Sequence, residues 1–321
     1  MQAPNPLPPE LGDIFRVADA SALGVPKGRL RARDLIAPFW GVRAAAGPCD
    51  DDGTRDAEAR RQVLRYVPRL APDAFFTHRS AALLWRLPIS VSADEVVHVG
   101  VPAPRRPPRG VGVRGHKVAS QHVSVRMLDR VPVAGPASTW AQLGAMLDVR
   151  DLVAVGDAIV RVPRVTGGRP GHPSSALGTI AQLQAVIFAG RRVGINRLRA
   201  ALPLIRAGAA SRPETHVRLD LADAGLPEPE LDVEVRDASG RLLGISEMVY
   251  SLWRVAVEYE GDHHRSDTQQ WNRDIDKYRA YAEAGWTPVR VTAENLYGKG
   301  PRPAVLVRAA LRRAGWTPSA G

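Results

Sequence analysis

The feature that most constrains the fold of this chain is a short strand-like segment near residue 257. Residues 254–264 read Arg-Val-Ala-Val-Glu-Tyr-Glu-Gly-Asp-His-His. Strand side chains alternate between two faces, so Glu258 and Glu260 share one face, roughly 6–7 Å apart at about 3.3 Å per residue. Two neighbouring carboxylates repel each other unless a proton or a cation lies between them. The segment therefore predicts a strand that carries a site for a hard metal ion.

The segments around this strand predict a mixed arrangement of helices and strands. A helix is predicted from Glu214 to Gly225, with Ser211 as its N-cap. Glu214 is also explained without any site, because an acid in the first turn favours the helix dipole. Strands 231–235 and 242–249 flank a hairpin turn at 237–240. Helix 271–284, strand 287–292, a short turn and helix 304–314 follow the acidic strand.

This order, with carboxylates at Glu214, Glu247, Glu258 and Glu260, resembles the PD-(D/E)XK restriction-endonuclease-like core. Three segments are similar to the Vsr-like (very-short-patch-repair-like) endonuclease domain of actinobacterial type: Val257-Glu-Tyr-Glu-Gly-Asp-His-His, Arg273-Asp-Ile-Asp-Lys and Ala284-Gly-Trp-Thr-Pro-Val-Arg-Val. The resemblance covers residues 208–316. It implies an α/β (α+β) fold with a mixed central sheet flanked by helices, and metal-dependent cleavage of DNA.

The resemblance also implies which residues form the site. Glu247 and Glu258 would hold Mg²⁺, or Mn²⁺ in its place. The implied catalytic residues are Glu214, Glu247, Glu258, Glu260, His263 and His264, with either histidine acting as an acid or as a phosphate contact. Arg273 and Arg290 would contact DNA.

The sequence departs from the family pattern at two of these positions. Glu247 stands where an aspartate is expected, and its longer side chain would displace the metal. Glu260 stands where Vsr-like domains have aspartate and the wider superfamily has lysine. No lysine is near in the sequence, so a histidine of the pair or Arg290 is expected to stabilise the developing charge.

The first 48 residues predict a DNA-binding element. A helix from Val17 to Leu23 ends at Gly24, and a basic helix from Lys27 to Leu35 follows, which is the helix-turn-helix pattern. Residues 38–43 would form a wing strand. The alternative is a small helical cap with a solvated charged face. The candidate DNA contacts are Lys27, Arg29, Arg31 and Arg33.

Residues 15–41 resemble the winged helix of AbiEi-type antitoxins. Thr77-His-Arg-Ser-Ala-Ala and Gly135-Pro-Ala-Ser-Thr-Trp would belong to the module that follows it. Together the patterns predict three domains: a winged helix-turn-helix over 1–48, a mixed α/β module over 60–200, and the endonuclease-type domain over 205–321. The middle module shows no catalytic set. His78 lies near the start of a helix predicted over 76–87 and is interpreted as an ordinary N-terminal helix residue, and the remaining histidines of the module show no metal-binding spacing.

The charge distribution favours a nucleic-acid partner. The chain has 321 residues and a net charge of +11. Residues 1–165 carry 23 basic and 16 acidic side chains, residues 166–204 carry five basic and none acidic, and residues 205–321 carry 16 basic and 17 acidic. If phosphate neutralisation holds DNA, the first two-thirds provide most of the binding.

The remaining sequence features indicate a cytoplasmic protein that does not enter a membrane. The N-terminus lacks a signal peptide, and no apolar run reaches the length of a membrane span. The single cysteine, Cys49, fits a reducing compartment. Three hypotheses follow: a DNA endonuclease, a non-catalytic DNA-binding regulator with an endonuclease-like domain, and an interaction protein whose acidic strand lies at the surface.

Overall fold

The computed structural model describes residues 4–46, 54–92, 94–165, 168–261 and 268–318. The fold is mixed α+β, as the sequence predicts. Two compact units are present: the first comprises Met1–Met146 and Ala185–Val193, and the second comprises Leu147–Gln184 and Gly194–Gly321. Within the described ranges, no helix is both long enough and apolar enough to cross a membrane.

The first unit contains two sheets, one of three strands and one of six. The strand order is β1-β3-β2 in the smaller sheet and β6-β7-β5-β4-β9-β8 in the larger. Its elements are β1 (Ile14–Arg16), α1 (Val17–Ala22), β2 (Leu35–Ile36), β3 (Val42–Ala45), α2 (Arg55–Leu64), β4 (Phe75–Phe76), α3 (His78–Leu84), β5 (Val97–Pro102), β6 (Arg109–Gly110), β7 (Val113–Val118), β8 (Val125–Leu128), β9 (Val131–Ala134) and α4 (Pro136–Leu143).

The second unit is built around one four-stranded sheet. Helix α6 (Ile180–Phe188) runs across the boundary between the two units. The other elements are α5 (Val149–Val160), α7 (Ile195–Ala201), α8 (Arg212–Asp223), β10 (Glu230–Arg236), β11 (Leu242–Tyr250), β12 (Val255–Glu260), α9 (Thr268–Glu283), β13 (Thr287–Thr292), α10 (Ala293–Tyr297) and α11 (Pro303–Arg313).

The sheet of the second unit is mixed, as predicted. Its order is β10-β11-β12-β13; the first two pairings are antiparallel and the last is parallel. Helices α8 and α11 cover one face through a core that includes Val217, Val257 and Leu311. Helix α9 covers the other face, where Tyr281 packs against Ala256. The helix-flanked mixed sheet matches the predicted core.

The alternation of side chains between the two faces of the sheet is interrupted at one point in strands β10 and β11. Leu231 and Met248 pair and contact the α8 side, whereas the next pair, Val233 and Ser246, lies on the α9 side. Between the two pairs lie Asp232, with a φ of +54°, and Glu247. This interruption of the alternation is why the neighbours Ser246 and Glu247 both reach residues of β12.

The predicted second helix of the N-terminal segment is absent. A single 3₁₀ turn, Arg29–Arg31, stands where the helix Lys27–Leu35 was expected. The chain pairs as a strand from Leu35 onward, which prevents a helix from extending through that position. Gly28 further disfavours helix, since glycine loses most conformational entropy on folding. Leu30 does face inward, with only 3% of its surface exposed.

The second unit begins at Leu147, well before the domain boundary that the sequence predicts near residue 205. Helix α5 belongs to this unit because it packs on α8 around a buried charge. Asp157 is 1% exposed and accepts hydrogen bonds from Thr215 Oγ1 at 2.9 Å and Arg218 Nη2 at 2.8 Å. Ion pairs of this kind have no signature in the local sequence pattern.

Candidate active site

Glu258 is the buried centre of the acidic region. It lies on β12 facing α9, and only 8% of the residue is exposed. Its Oε1 atom accepts a hydrogen bond from Ser246 Oγ at 2.7 Å and from Lys277 Nζ at 2.6 Å. Lys277 also donates to the carbonyl of Ile245 at 2.7 Å. The burial of Glu258 contradicts the hypothesis that the acidic strand is merely a solvated surface.

Lys277 corrects the expectation that no lysine is near. It lies on α9 rather than on the acidic strand, so the strand sequence could not reveal it. Two sequence patterns could have indicated the contact between Lys277 and Glu258. Strand alternation puts Glu258 on one face, and the helical period places Lys277 one turn before Tyr281, which packs on that same face.

Glu247 faces the same region from β11. Its Oε2 atom accepts a hydrogen bond from the backbone N–H of Tyr259 at 2.7 Å. Burial raises the pKa of Glu247 to about 9, and the negative charges of Glu214 and Glu258 add to the increase, against the opposing effects of the Tyr259 N–H and Lys277. Without a cation, this carboxyl group is therefore protonated at neutral pH.

Glu214 supports the start of α8 and also takes part in the acidic region. Its N–H donates to the N-cap hydroxyl of Ser211 at 3.3 Å, and its Oε2 atom accepts from the N–H of Ala210 at 2.7 Å. The predicted cap is thus confirmed. Burial raises the pKa of Glu214, and the charge of Glu258 raises it further against the opposing effect of these hydrogen bonds and of Arg161.

The three acids interact electrostatically but do not form a tight cluster. Within the described residues, one group of three His, Cys, Asp or Glu side chains has all its ligand atoms within 4.8 Å of one another, and that group consists of histidines in the first unit. Glu214, Glu247 and Glu258 therefore do not meet this distance.

Glu260 and Arg290 neutralise each other. Arg290 Nη2 lies 2.5 Å from Glu260 Oε2, and Arg290 Nε makes a second bond to the same carboxylate. Tyr278 Oη donates to Glu260 at 3.4 Å, and the Arg290 guanidinium lies over the Tyr278 ring at 5.3 Å. This bidentate pairing occupies both groups and differs from the separate roles predicted for them.

The other predicted site residues divide into two groups. His263 and His264 lie outside the described residues, as does the side chain of Arg273. In the first unit, Lys27, Arg31 and Arg33 are exposed, as DNA contacts must be. Arg29 is less accessible than these three, because its guanidinium pairs with Asp34 at 2.7 Å and its side chain is 11% exposed. The pair stabilises the turn.

The comparisons with known proteins do not assign a function. No protein-family model matches this chain. Two curated relatives are uncharacterized proteins of Mycobacterium tuberculosis, from strains CDC 1551 / Oshkosh and ATCC 25618 / H37Rv; each is 30% identical over 125 residues. The match covers 39% of this chain and 45% of each relative, so the chain spans about half the length of the curated relatives it matches. Neither relative's name states an activity.

Proposed function

We propose that this chain binds DNA and that its second unit hydrolyses phosphodiester bonds with Mg²⁺ or Mn²⁺. The observation that carries the proposal is the environment of Glu258: a buried carboxylate that contacts Lys277 and whose charge acts on Glu214 and Glu247. Several buried acids around one lysine destabilise a fold. Such strongly perturbed groups are concentrated at functional sites.

The acids fit a divalent cation by charge and by donor type. The raised pKa of Glu247 means that a proton neutralises its carboxylate in the metal-free protein. A bound cation would neutralise the carboxylate instead. Carboxylate oxygens are the ligands that Mg²⁺ prefers in proteins. Glu247 and Glu258 would hold the ion, which would polarise the scissile phosphate and lower the pKa of water. Glu214 would orient a water molecule.

Lys277 provides the positive charge that the acidic strand lacks. Two of the three ammonium N–H groups donate to Glu258 and to the Ile245 carbonyl. The third is then free by valence to donate to a phosphate oxygen. In this proposal Lys277 both orients Glu258 and stabilises negative charge that develops on the phosphate, which replaces the role expected for His263, His264 or Arg290.

Nicking of supercoiled plasmid DNA tests this function. The variant Glu258→Gln keeps the size of the side chain but removes its charge, and Glu230→Gln changes an exposed acid of the same sheet as a matched control. We expect wild type and the control to nick in Mg²⁺ or Mn²⁺ and not in EDTA. The nicking rate of Glu258→Gln should fall by more than about 100-fold, since even residues that only hydrogen-bond to metal ligands contribute 10–100-fold. Equal nicking by both variants would exclude the proposed role.

A non-catalytic DNA-binding regulator is the second candidate. It is favoured by the glutamate at position 247, by the Glu260–Arg290 pair and by the absence, among the described residues, of a group of three acids with ligand atoms within 4.8 Å of one another. This function predicts salt-sensitive DNA binding without cleavage in either metal. Neutralising the exposed Lys27 and Arg31 should weaken binding and make the salt slope shallower by about 0.9 per lost phosphate contact. Unchanged binding in that double variant would remove the N-terminal segment from the DNA interface.

The proposed partner also bears on the compartment. We place the protein in the cytoplasm, where DNA is accessible and where a chain with the single cysteine Cys49 remains reduced. Fractionation of cells that produce the chain checks this: the protein should appear with soluble cytoplasmic markers. Recovery with the membrane fraction would contradict it.

A further inference from the structure

Three histidines that are far apart in the sequence meet in the first unit. His78 begins α3, His98 lies on β5 and His116 lies on β7, the parallel neighbour of β5. The ring centroids of His78 and His116 are 3.9 Å apart, and those of His98 and His116 are 5.0 Å apart. Each ring offers one nitrogen that lies within 4.8 Å of the nitrogens of the other two. The sequence shows no metal-binding spacing for these residues, because only the fold brings them together.

The hydrogen bonds behind His78 determine which of its nitrogens carries the proton. The backbone N–H of His78 donates to Gln142 Oε1 at 3.0 Å, so that amide atom is the oxygen. The same oxygen lies 2.7 Å from Thr77 Oγ1, so the hydroxyl must donate to it. Thr77 Oγ1 has one proton, and it can only accept from His78 Nδ1 at 3.1 Å. Nδ1 is therefore protonated, which leaves the lone pair on Nε2.

This arrangement is the one that metal-binding histidines use. A ligating imidazole donates its other ring N–H to a second group that fixes its tautomer and its orientation. Here that group is the fully buried Thr77 hydroxyl, which Gln142 holds in turn. The backbone of His78 has a φ of +50°, a conformation that non-glycine residues rarely adopt.

The other two rings share a proton between facing nitrogens. His98 Nδ1 and His116 Nε2 are 2.9 Å apart, so one of them must carry a proton and the other must accept it. His98 is 1% exposed, and its position is fixed by its N–H, which donates to Ser80 Oγ at 2.8 Å. A single proton lies between these two facing nitrogens. A cation in its place would be bound by both rings.

Burial, together with neighbouring positive charges, lowers the pKa of all three imidazoles. Burial lowers the pKa of His78 to about 3 and of His116 to about 4, and the neighbouring Arg114 lowers both further. Glu95 opposes this effect at His98 and is paired with Arg79 at 2.6 Å. Neutral imidazoles are the form that binds zinc and its neighbours in the first transition series.

We propose that His78, His98 and His116 bind one transition-metal ion of the zinc type. Catalytic zinc sites have this ligand count: three protein donors, and a fourth position open to water or a small anion. Within the described residues no fourth His, Cys, Asp or Glu joins the group. Tetrahedral zinc with bonds of about 2.0–2.1 Å requires ligand nitrogens about 3.3 Å apart, so the rings must close by up to about 1.5 Å.

This site is independent of the proposed DNA-cleaving site. It lies in the first unit and offers imidazole nitrogens, whereas the acids of the second unit offer carboxylate oxygens. Nitrogen donors favour zinc, copper and nickel over Mg²⁺, so the two sites would take different ions. The histidine site can therefore exist whether or not the second unit cleaves DNA.

Titration of the untagged, metal-stripped full chain with Co²⁺ tests the proposal. Two variants each remove one ligand: His116→Gln changes a partly exposed ring, and His78→Asn uses a residue that tolerates positive φ. The matched control is His172→Gln, an exposed histidine of the second unit. Visible absorption of tetrahedral Co²⁺, its displacement by Zn²⁺ and the thermal midpoint with and without Zn²⁺ are measured for each protein.

We expect one Co²⁺ per chain in the wild type and the control, with displacement by one Zn²⁺ and a higher thermal midpoint in Zn²⁺. Both ligand variants should bind more than about 100-fold more weakly while their metal-free thermal midpoints stay near that of the wild type. The proposal is overturned if the wild type binds no stoichiometric Co²⁺ or Zn²⁺. It is equally overturned if either ligand variant binds like the wild type, or if the control loses binding to the same extent.

Discussion

At the scale of single residues, the contact between Lys277 and Glu258 determines what the acidic strand can do. The two side chains are 20% and 10% exposed, so water screens them little. The ammonium group of Lys277 lies 2.6 Å from Glu258 Oε1. Glu258 and Lys277 therefore fix each other's position, and the charge of Glu258 acts on two further acids, Glu214 and Glu247.

Replacing Lys277 by methionine should therefore affect both stability and activity. The change leaves Glu258 buried without its counter-charge, and we expect the free energy of unfolding to fall by about 3 kcal/mol. DNA nicking should be lost as well. Lys299→Met, at an exposed position, is the control and should change stability by less than about 0.5 kcal/mol. Urea denaturation measures both variants; a Lys277→Met protein as stable and active as the wild type would refute the role of the pair.

The raised pKa of Glu247 predicts an unusual dependence of stability on pH. Between pH 4.5 and about 9 the folded state holds a proton on Glu247 that the unfolded state has released. Stability must then decrease as the pH rises through this window. In EDTA, we expect the free energy of unfolding of the wild type to decrease from pH 6 to pH 9, and that of Glu247→Gln to decrease less.

Mg²⁺ provides the complementary measurement at pH 9. A cation that takes over from the proton should restore stability to the wild type and leave Glu247→Gln unchanged. Chemical denaturation with and without the ion at each pH gives both values. Parallel pH profiles for the two proteins would show that Glu247 does not hold this proton.

Residues whose partners are distant could not be predicted from the sequence. Lys277 is 19 positions from Glu258, and the three histidines come from one helix and two strands. Strand alternation correctly placed Glu258 and Glu260 on one face, but it did not distinguish the buried acid from the one paired with Arg290. That distinction depends on which side chains α9 and β13 bring to each position.

At the scale of elements, local chemistry made the second unit predictable. Ser211 caps α8, Gly225 with a φ of +71° ends it, and the turn at Asp237–Gly240 joins β10 to β11. Each of these signals acts within a few residues. The basic helix predicted at Lys27–Leu35 was wrong because strand pairing with β3, a contact beyond the local window, determines that segment.

A charge pair with very little exposure, Asp157 and Arg218, lies where α5 packs on α8. Asp157 accepts bonds from Arg218, Thr215 and the N–H of Arg206, and Arg218 itself is only 4% exposed. Asp157→Asn should lower the free energy of unfolding by about 3–5 kcal/mol, because it leaves the buried guanidinium of Arg218 without its counter-charge. Asp223→Asn breaks an exposed pair with Arg150 and should cost less than about 1 kcal/mol. Equal losses would show that burial is not the cause.

At the scale of the whole molecule, the division into two units predicts which fragment folds. A fragment that starts at residue 205, where the sequence placed the boundary, lacks α5 and leaves Arg218 without Asp157. A fragment that starts at Leu147 keeps the pair. We expect only the longer fragment to show cooperative thermal unfolding by circular dichroism. Cooperative unfolding of the shorter fragment at the same temperature would contradict the role of α5.

In the proposed function, DNA binding and DNA cleavage belong to different units of the chain. The first unit carries 22 basic and 13 acidic side chains, whereas Glu214, Glu247 and Glu258 lie in the second unit. The first unit would then contribute affinity and the second would contribute the reaction. The second unit, with 22 basic and 20 acidic side chains, has little net charge and is not expected to bind DNA strongly by itself.

The central claim is that Glu247 and Glu258 together hold a divalent cation. Anomalous diffraction from crystals soaked in Mn²⁺ tests it most directly, because the scattering locates the ion without reference to activity. The account predicts an anomalous peak in contact with both carboxylates in the wild type and none in Glu258→Gln. Well-ordered wild-type crystals without a peak between these two carboxylates would contradict it.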